Sequence, residues 1–233
     1  MKRSEINSLI RETIAFFDEM NFKLPKWAYW KPEEWKRRGP QVQEIVDLML
    51  GWDITDFGSG NFEKKGLILF TVRNGDFRKA DNRKCYAEKI MVVGENQETP
   101  LHFHWSKMED IINRGGGNLV MELCGSTEDE QLSDRPVTVR VDEIPRMVEP
   151  MGKIILSPGE SICVEPRVYH RFYAEGGKGK ALVGEVSSVN DDTSDNRFYE
   201  GLGRFPEIEE DEKPLRLLVI DYPNYLSRSL RPC

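Results

Sequence analysis

The sequence predicts a mainly β protein, a barrel or sandwich, with α-helices packed on it at the N-terminal end. Two observations carry that prediction. Apolar residues recur every three or four positions through the first fifty residues, and then the pattern changes to short runs rich in Val, Ile, Leu and Phe. Gly, Pro, Asn and Asp separate those runs at short intervals, as they do in sandwiches and barrels. A chain of 233 residues, 39% hydrophobic and 31% charged, is long enough to bury a sizeable core and can form one large β domain.

The helical part comes first. After Ser4, the expected N-cap, Ile6, Leu9, Ile10, Ile14, Phe17 and Met20 fall on one side of an amphipathic helix that needs a body to pack on. LPKWAYWKP ends it, and EEWKRR and VQEIVDLML are two further helical stretches leading to Gly51. The strand-like runs follow: KGLILFTVR, KCYAEKIMVV, TPLHFHW, NLVMEL, RPVTVRV, KIILS, SICVE, HRFYA and KALVGEVSS. EIEEDEKP, residues 207–214, is expected to be a solvated loop before a last strand, LRLLVIDY. No internal repeat is present.

Charge and composition exclude several classes. The net charge of -7 argues against a phosphate-backbone binder, so nucleic acid is not an expected partner. No apolar run approaches the roughly 20 residues of a membrane span. Charged residues interrupt the apolar positions of MKRSEINSLIRETIAFF, so no secretory signal is read there and a cytoplasmic protein is expected. Cys85, Cys124, Cys163 and Cys233 form no CxxC pair and are too scattered for a disulfide framework; buried thiols are expected. GGG at 115–117 lacks the lysine and helix start of a phosphate loop and reads as a turn between strands. NDDTSDN, 190–196, does not have the spacing of a calcium loop and reads as an Asp/Asn-rich turn.

The histidines are the chemical signal. The chain has three, and two of them, His102 and His104, are one residue apart in TPLHFHW. Alternate strand residues face the same way, so both imidazoles project together and can give a nitrogen lone pair each to one divalent ion. Glu109 follows at an odd offset, on the opposite face of a straight strand. A bend near Ser106 and Lys107 is therefore predicted to bring it in, with Lys107 aimed outward. His170, far downstream in VEPRVYH, would be the fourth ligand, delivered by folding alone.

HxHx4E with a distant histidine at the end of PGESICVEPRVYH resembles the two metal motifs of the cupin family. Pro158 and Gly159 match the second motif, whereas Glu165 and Arg167 stand where the family usually has proline and glycine, and Ala174 where asparagine often follows. A longer likeness, through LGWDITDFG, NGDF, KCYAEKIM, TPLHFHWSKMEDIINRGGGNLVMEL, SPGESICVEP with VYHRF, GEVSSVNDD and IEEDE, resembles the D-lyxose isomerase family of cupin sugar isomerases. That resemblance implies a single cupin β-barrel domain, jelly-roll-like, over 1–233, with 1–50 as a helical extension. It also implies interconversion of D-lyxose with D-xylulose, and often of D-mannose with D-fructose, using manganese in a homodimer.

Three neutral imidazoles and a carboxylate would leave a divalent ion with a net charge of about +1 and two open octahedral positions, which adjacent sugar oxygens fit. Lys89, on a strand face with Cys85, Ala87 and Met91, is a candidate acid or base if desolvation near the cation depresses its pKa; otherwise it is a rim lysine in a salt bridge. Glu185 shares a face with Val183 and Ala181 and is either a proton carrier or a group orienting a ligand histidine. Arg204 either holds a distal sugar hydroxyl or lies on the surface. Trp52 and Trp105 read as core or interface aromatics rather than a platform for a sugar face. Proton transfer and hydride shift both remain open. So do an Fe(II) cupin dioxygenase on the same ligands and a non-catalytic sugar-binding cupin. A cupin phosphosugar isomerase would want basic groups that the GGG turn does not offer.

Overall fold

The structure, a computed structural model, describes residues 1–77, 84–201 and 203–226. Thirteen strands are found among them. The first sheet contains β1 (Gly51–Thr55), β2 (Leu67–Arg73), β3 (Tyr86–Val93), β5 (Glu109–Gly116), β7 (Val137–Val141), β8 (Ile144–Val148), β10 (Ser161–Val164) and β12 (Ala181–Ser188). Its order is β1-β2-β3-β12-β5-β10-β7-β8, antiparallel throughout. The second sheet contains β4 (His102–Phe103), β6 (Leu119–Gly125), β9 (Gly152–Leu156), β11 (Val168–Ala174) and β13 (Arg197–Phe198), in the order β13-β4-β11-β6-β9. The chain therefore has the predicted mainly β architecture, two antiparallel sheets with helices at the N-terminal end.

Alternation along the strands decides what faces where. Leu69, Met91, Ile111 and Val183 of the first sheet pack against Met121, Leu123 and Phe172 of the second, forming the core between the sheets. Ile68, Phe70, Ile90 and Val92 point the opposite way and are covered by Ile6, Ile10 and Phe17 of helix α1 (Arg3–Glu19). Removal of that apolar face from water is what holds the helix on the sheet. Helices α2 (Pro32–Lys36) and α3 (Gln43–Asp47) contribute Trp35 and Val46 to a smaller cluster with Tyr222 of α4 (Tyr222–Tyr225). Trp52 is a core residue of the helix-covered face, and Trp105 is 39% exposed, its Nε1 donating to Glu130.

Several expectations are corrected. The N-cap of α1 is Lys2, not Ser4. Ser4 instead donates through its Oγ and backbone N to Asp211, at 2.7 and 2.9 Å. That contact belongs to a larger one: the acidic segment 207–214 is not a free loop but a strap across the start of α1. Arg3 is fully buried, pairing with Glu210 at 2.6 Å and Asp221 at 2.7 Å, and Asn7 Nδ2 donates to Lys213 O at 2.8 Å. Carboxylates beside a helix N-terminus meet unpaired N–H groups, which explains why this charge run is docked. LRLLVIDY is not a last strand either; Val219–Asp221 forms a 3-10 turn leading into α4, Pro223 standing in the first turn where its missing N–H has no function. Strands β1, β5, β8 and β13 lie outside the predicted runs. β5 reads EDIINRGG, whose charges and glycines hide its period. The GGG stretch ends β5, with Gly115 and Gly116 at positive φ, and the turn to β6 follows. Cys85, Cys124 and Cys163 are free thiols, but only Cys124 is buried, and Cys85 is exposed; Cys233 lies outside the described residues.

Candidate active site

Both sheets contribute to one cavity between them, and His102, His104, Glu109, His170, Lys89, Glu185 and Arg204 all line it. The pairing of strands explains the convergence of the histidines. β4 lies beside β11 in the second sheet with His102 directly opposite His170, so two residues far apart in sequence become cross-strand neighbours. Their ring centroids are 4.3 Å apart, and His104 lies 5.1 Å from His102 and 5.6 Å from His170. The available ligand atoms of the three all lie within 4.8 Å of one another.

The predicted bend is present. The chain leaves strand geometry at His104, bends at Trp105 and Ser106, and re-enters it at Glu109, now in the opposite sheet. Asp195 holds the bend: its carboxylate accepts from Ser106 N at 3.0 Å and Lys107 N at 2.9 Å. Glu109 thereby faces the histidines, Oε1 at 2.8 Å from His170 Nε2 and Oε2 at 3.6 Å from His104 Nε2. At the second motif Arg167 stands where glycine is usual and takes the left-handed conformation a glycine would, with φ 65°. Its amide donates to His104 O at 2.8 Å, tying that turn to the first motif.

Each imidazole is oriented from behind. Nδ1 of His102, His104 and His170 lies 2.8, 2.6 and 3.0 Å from the carbonyl oxygens of Pro100, Asp195 and Val168 respectively. A carbonyl only accepts, so each Nδ1 carries a proton, and in the neutral ring the Nε2 then presents a lone pair to the cavity. His170 Nε2 is buried and has no hydrogen-bond partner among the described residues, because its close approach to Glu109 lacks hydrogen-bond geometry. An unprotonated nitrogen and a carboxylate oxygen at this separation repel unless a cation lies against both. Donor atoms at about 2.1 Å from one ion are about 3 Å apart when adjacent, close to the 2.8 Å seen here. The residues present therefore fit a divalent ion held by His102, His104, His170 and Glu109. Burial, then His170 and His104, hold the His102 pKa well below its ordinary value, keeping that ring neutral.

Beyond Glu109 the charges alternate. Lys107, expected to aim outward, is 3% exposed and reaches Glu109 at 2.6 Å and Glu185 at 3.0 Å. The bend that turns Glu109 inward turns Lys107 with it. Burial lowers the Lys107 pKa, but Glu109 and Glu185 outweigh it and raise the ammonium above its usual range. Burial likewise raises Glu109, and Lys107 leads the groups that reverse this and hold the carboxyl well below its usual range. Glu185 and Lys89 are register partners on β12 and β3, with Oε1 and Nζ 3.5 Å apart. Lys89 also approaches Asn190 at 2.7 Å and Asp192 at 3.4 Å, and Arg204 Nη2 bridges Asp192 at 3.5 Å and Asp53 at 2.7 Å. Lys89 and Arg204 are thus interior rather than surface groups, 4% and 11% exposed at the side chain.

Sequence reasoning missed Lys107, Asp53, Asp192 and Asp195. Asn190, Asp192 and Asp195 all belong to the NDDTSDN run, whose turn composition concealed that half of it faces inward. The only signal available was the density of carboxylates and amides itself.

Residues 1–222 match the family model of D-lyxose isomerase. The chain is 48% identical over 226 residues to a D-lyxose/D-mannose isomerase of Escherichia coli O157:H7, covering 97% of this chain and 100% of that protein. It is 47% identical over 228 residues to a D-lyxose/D-mannose isomerase of Serratia proteamaculans, covering 97% and 100%. In fold it resembles the L-ribose isomerase of Cellulomonas parahominis, solved with L-psicose, with TM-score 0.60, 14% identity, and 90% of this chain and 98% of that one covered. With agreement over nearly its whole length, the chain belongs to the D-lyxose isomerase family.

Proposed function

We propose that this chain is a divalent-metal-dependent aldose-ketose isomerase that interconverts D-lyxose with D-xylulose and D-mannose with D-fructose by proton transfer, with Mn2+ as its ion. The supporting observation is the set of three carbonyl-oriented imidazoles whose Nε2 atoms converge beside Glu109, next to a buried carboxylate flanked by two ammonium groups. The reading includes a cytoplasmic homodimer in which residues 1–233 form one domain and 1–50 its helical extension.

His102, His104, His170 and Glu109 would hold the ion, which when bound polarises the carbonyl and neighbouring hydroxyl of the open-chain sugar and acidifies the hydrogen between them. Glu185 is the proton carrier. It takes the hydrogen from C2 of the aldose as a proton, the C–H electrons form the C1–C2 double bond of an enediol, and Lys89 supplies a proton to O1. Lys89 then recovers a proton from O2 as Glu185 returns its own to C1, giving the ketose with both residues restored. Lys107 remains charged beside Glu109 and Glu185, so it stabilises negative charge and does not serve as a base. Arg204 holds a hydroxyl further along the sugar, its Nη1 being buried with no hydrogen-bond partner among the described residues.

Metal-stripped protein reconstituted with Mn(II) and followed by NMR on D-lyxose and D-mannose in deuterated water tests the reading. Ketose carrying solvent deuterium next to the carbonyl is expected, and loss of metal and of turnover together in His170→Ala. Absence of ketose with either sugar, or oxygen consumption in its place, overturns the assignment.

A further inference from the structure

The cavity at the metal-ligand cluster measures about 50 Å3. At roughly 10–15 Å3 per water this is room for roughly three to five waters, less than an aldose requires. A second cavity, of about 360 Å3, adjoins it, and Asp192 lines both. Arg204 borders the first and Asp53 the second, and a 2.7 Å ion pair joins the two residues.

This ion pair has one unfilled acceptor and one unfilled donor. Asp53 Oδ1 and Arg204 Nη1 are both shut off from solvent with no hydrogen-bond partner among the described residues, and Asp53 as a whole is 2% exposed. Orphaned buried polar atoms are unfavourable unless a ligand completes them. A bound cation would satisfy the carboxylate but oppose the guanidinium, and an anion the reverse. Hydroxyl groups donate and accept, so a neutral polyol meets both requirements. Asp53 sits within β1, paired to Leu69 of β2, so its carboxylate is fixed by a strand rather than carried on a loop.

We propose that Asp53 is a specificity-determining residue whose Oδ1 accepts the terminal hydroxyl of a six-carbon sugar entering the second cavity. D-Mannose repeats the configuration of D-lyxose at its first chiral carbons and adds a hydroxymethyl group, so the contact is one that the hexose alone reaches. The inference rests on the isomerase reading above and adds the group that reads substrate length.

The test compares kcat/KM for D-lyxose, D-mannose and 6-deoxy-D-mannose on metal-loaded enzyme, wild type and Asp53→Asn. Asparagine keeps an oxygen for Arg204 Nη2 and places an NH2 donor where Oδ1 stood. In the wild type, removal of the terminal hydroxyl is expected to lower kcat/KM roughly ten- to a hundredfold, chiefly through KM. In Asp53→Asn, D-mannose falls by a similar factor, D-lyxose changes by less than about threefold, and the ratio of D-mannose to its deoxy analogue approaches one. Equal wild-type rates with D-mannose and 6-deoxy-D-mannose overturn the proposal, as does an equal loss for pentose and hexose in the variant. Should the variant not fold by circular dichroism, the wild-type comparison decides alone. No turnover of any of the three sugars by wild type removes the isomerase reading and this proposal with it.

Discussion

Replacing Lys107 with methionine isolates the charge balance of the site. Methionine fills a similar volume, so the change removes the ammonium with little cavity formation. Glu185 keeps Lys89 at 3.5 Å, whereas Glu109 loses its 2.6 Å partner and is left, 2% exposed, beside the imidazoles of His104 and His170. Breaking one side of a buried ion pair costs about 3–5 kcal/mol. For a chain of this size about 2–4 °C accompanies each kcal/mol, so metal-free Lys107→Met is expected to melt roughly 6–20 °C below metal-free wild type. A divalent ion would serve Glu109 as a substitute counter-charge, so saturating Mn(II) should close most of that gap. Urea and thermal unfolding, each in chelator and in excess Mn(II), measure both quantities. A metal-free variant within about 1 kcal/mol of wild type would refute the role of Lys107 as counter-charge. A gap that Mn(II) leaves unchanged would refute the assignment of Glu109 as a ligand.

The Asp192 carboxyl is raised by burial, but Lys89, Arg204 and Lys107 outweigh that and hold it well below its ordinary 3.8. An acid whose folded pKa is depressed contributes stability that is complete above its ordinary pKa and lost as pH falls through the folded one. The stability difference between wild type and Asp192→Asn in urea should therefore be largest near neutrality and shrink below about pH 4; a difference that widens in acid contradicts this. Arg3→Met should destabilise the protein by about 3–5 kcal/mol, because Asp221, 4% exposed, is left without its cation. Hydrogen exchange should show the amides of the 207–214 strap opening with it, and unchanged protection there would separate the strap from the ion pair.

The convergence of His102, His104 and Glu109 was legible in the sequence because it rests on short-range geometry. HxH is read from the two-residue period of a strand, and the odd offset of Glu109 requires a bend wherever that glutamate is to face the same cavity. The inward placement of Lys89 and Glu185 follows from the same alternation, since Ala87, Met91, Ala181 and Val183 mark the buried face. Helix α1 was legible for the corresponding reason at a period of 3.6, although its cap was not, because the strap that occupies Ser4 comes from the other end of the chain.

Sequence by itself determined which residues can be ligands, which strand faces are apolar and which family the chain resembles, since all three are properties of neighbouring positions or ordered motifs. Only the tertiary structure decided that His170 lies opposite His102, that Lys107 turns inward, and that half of an acidic turn closes the site around Lys89 and Arg204. The physical reason is that a charged side chain is exposed by default, and whether it is worth burying depends on an opposite charge arriving from elsewhere in the chain. That arrival is a consequence of strand order and register, which local patterning does not encode.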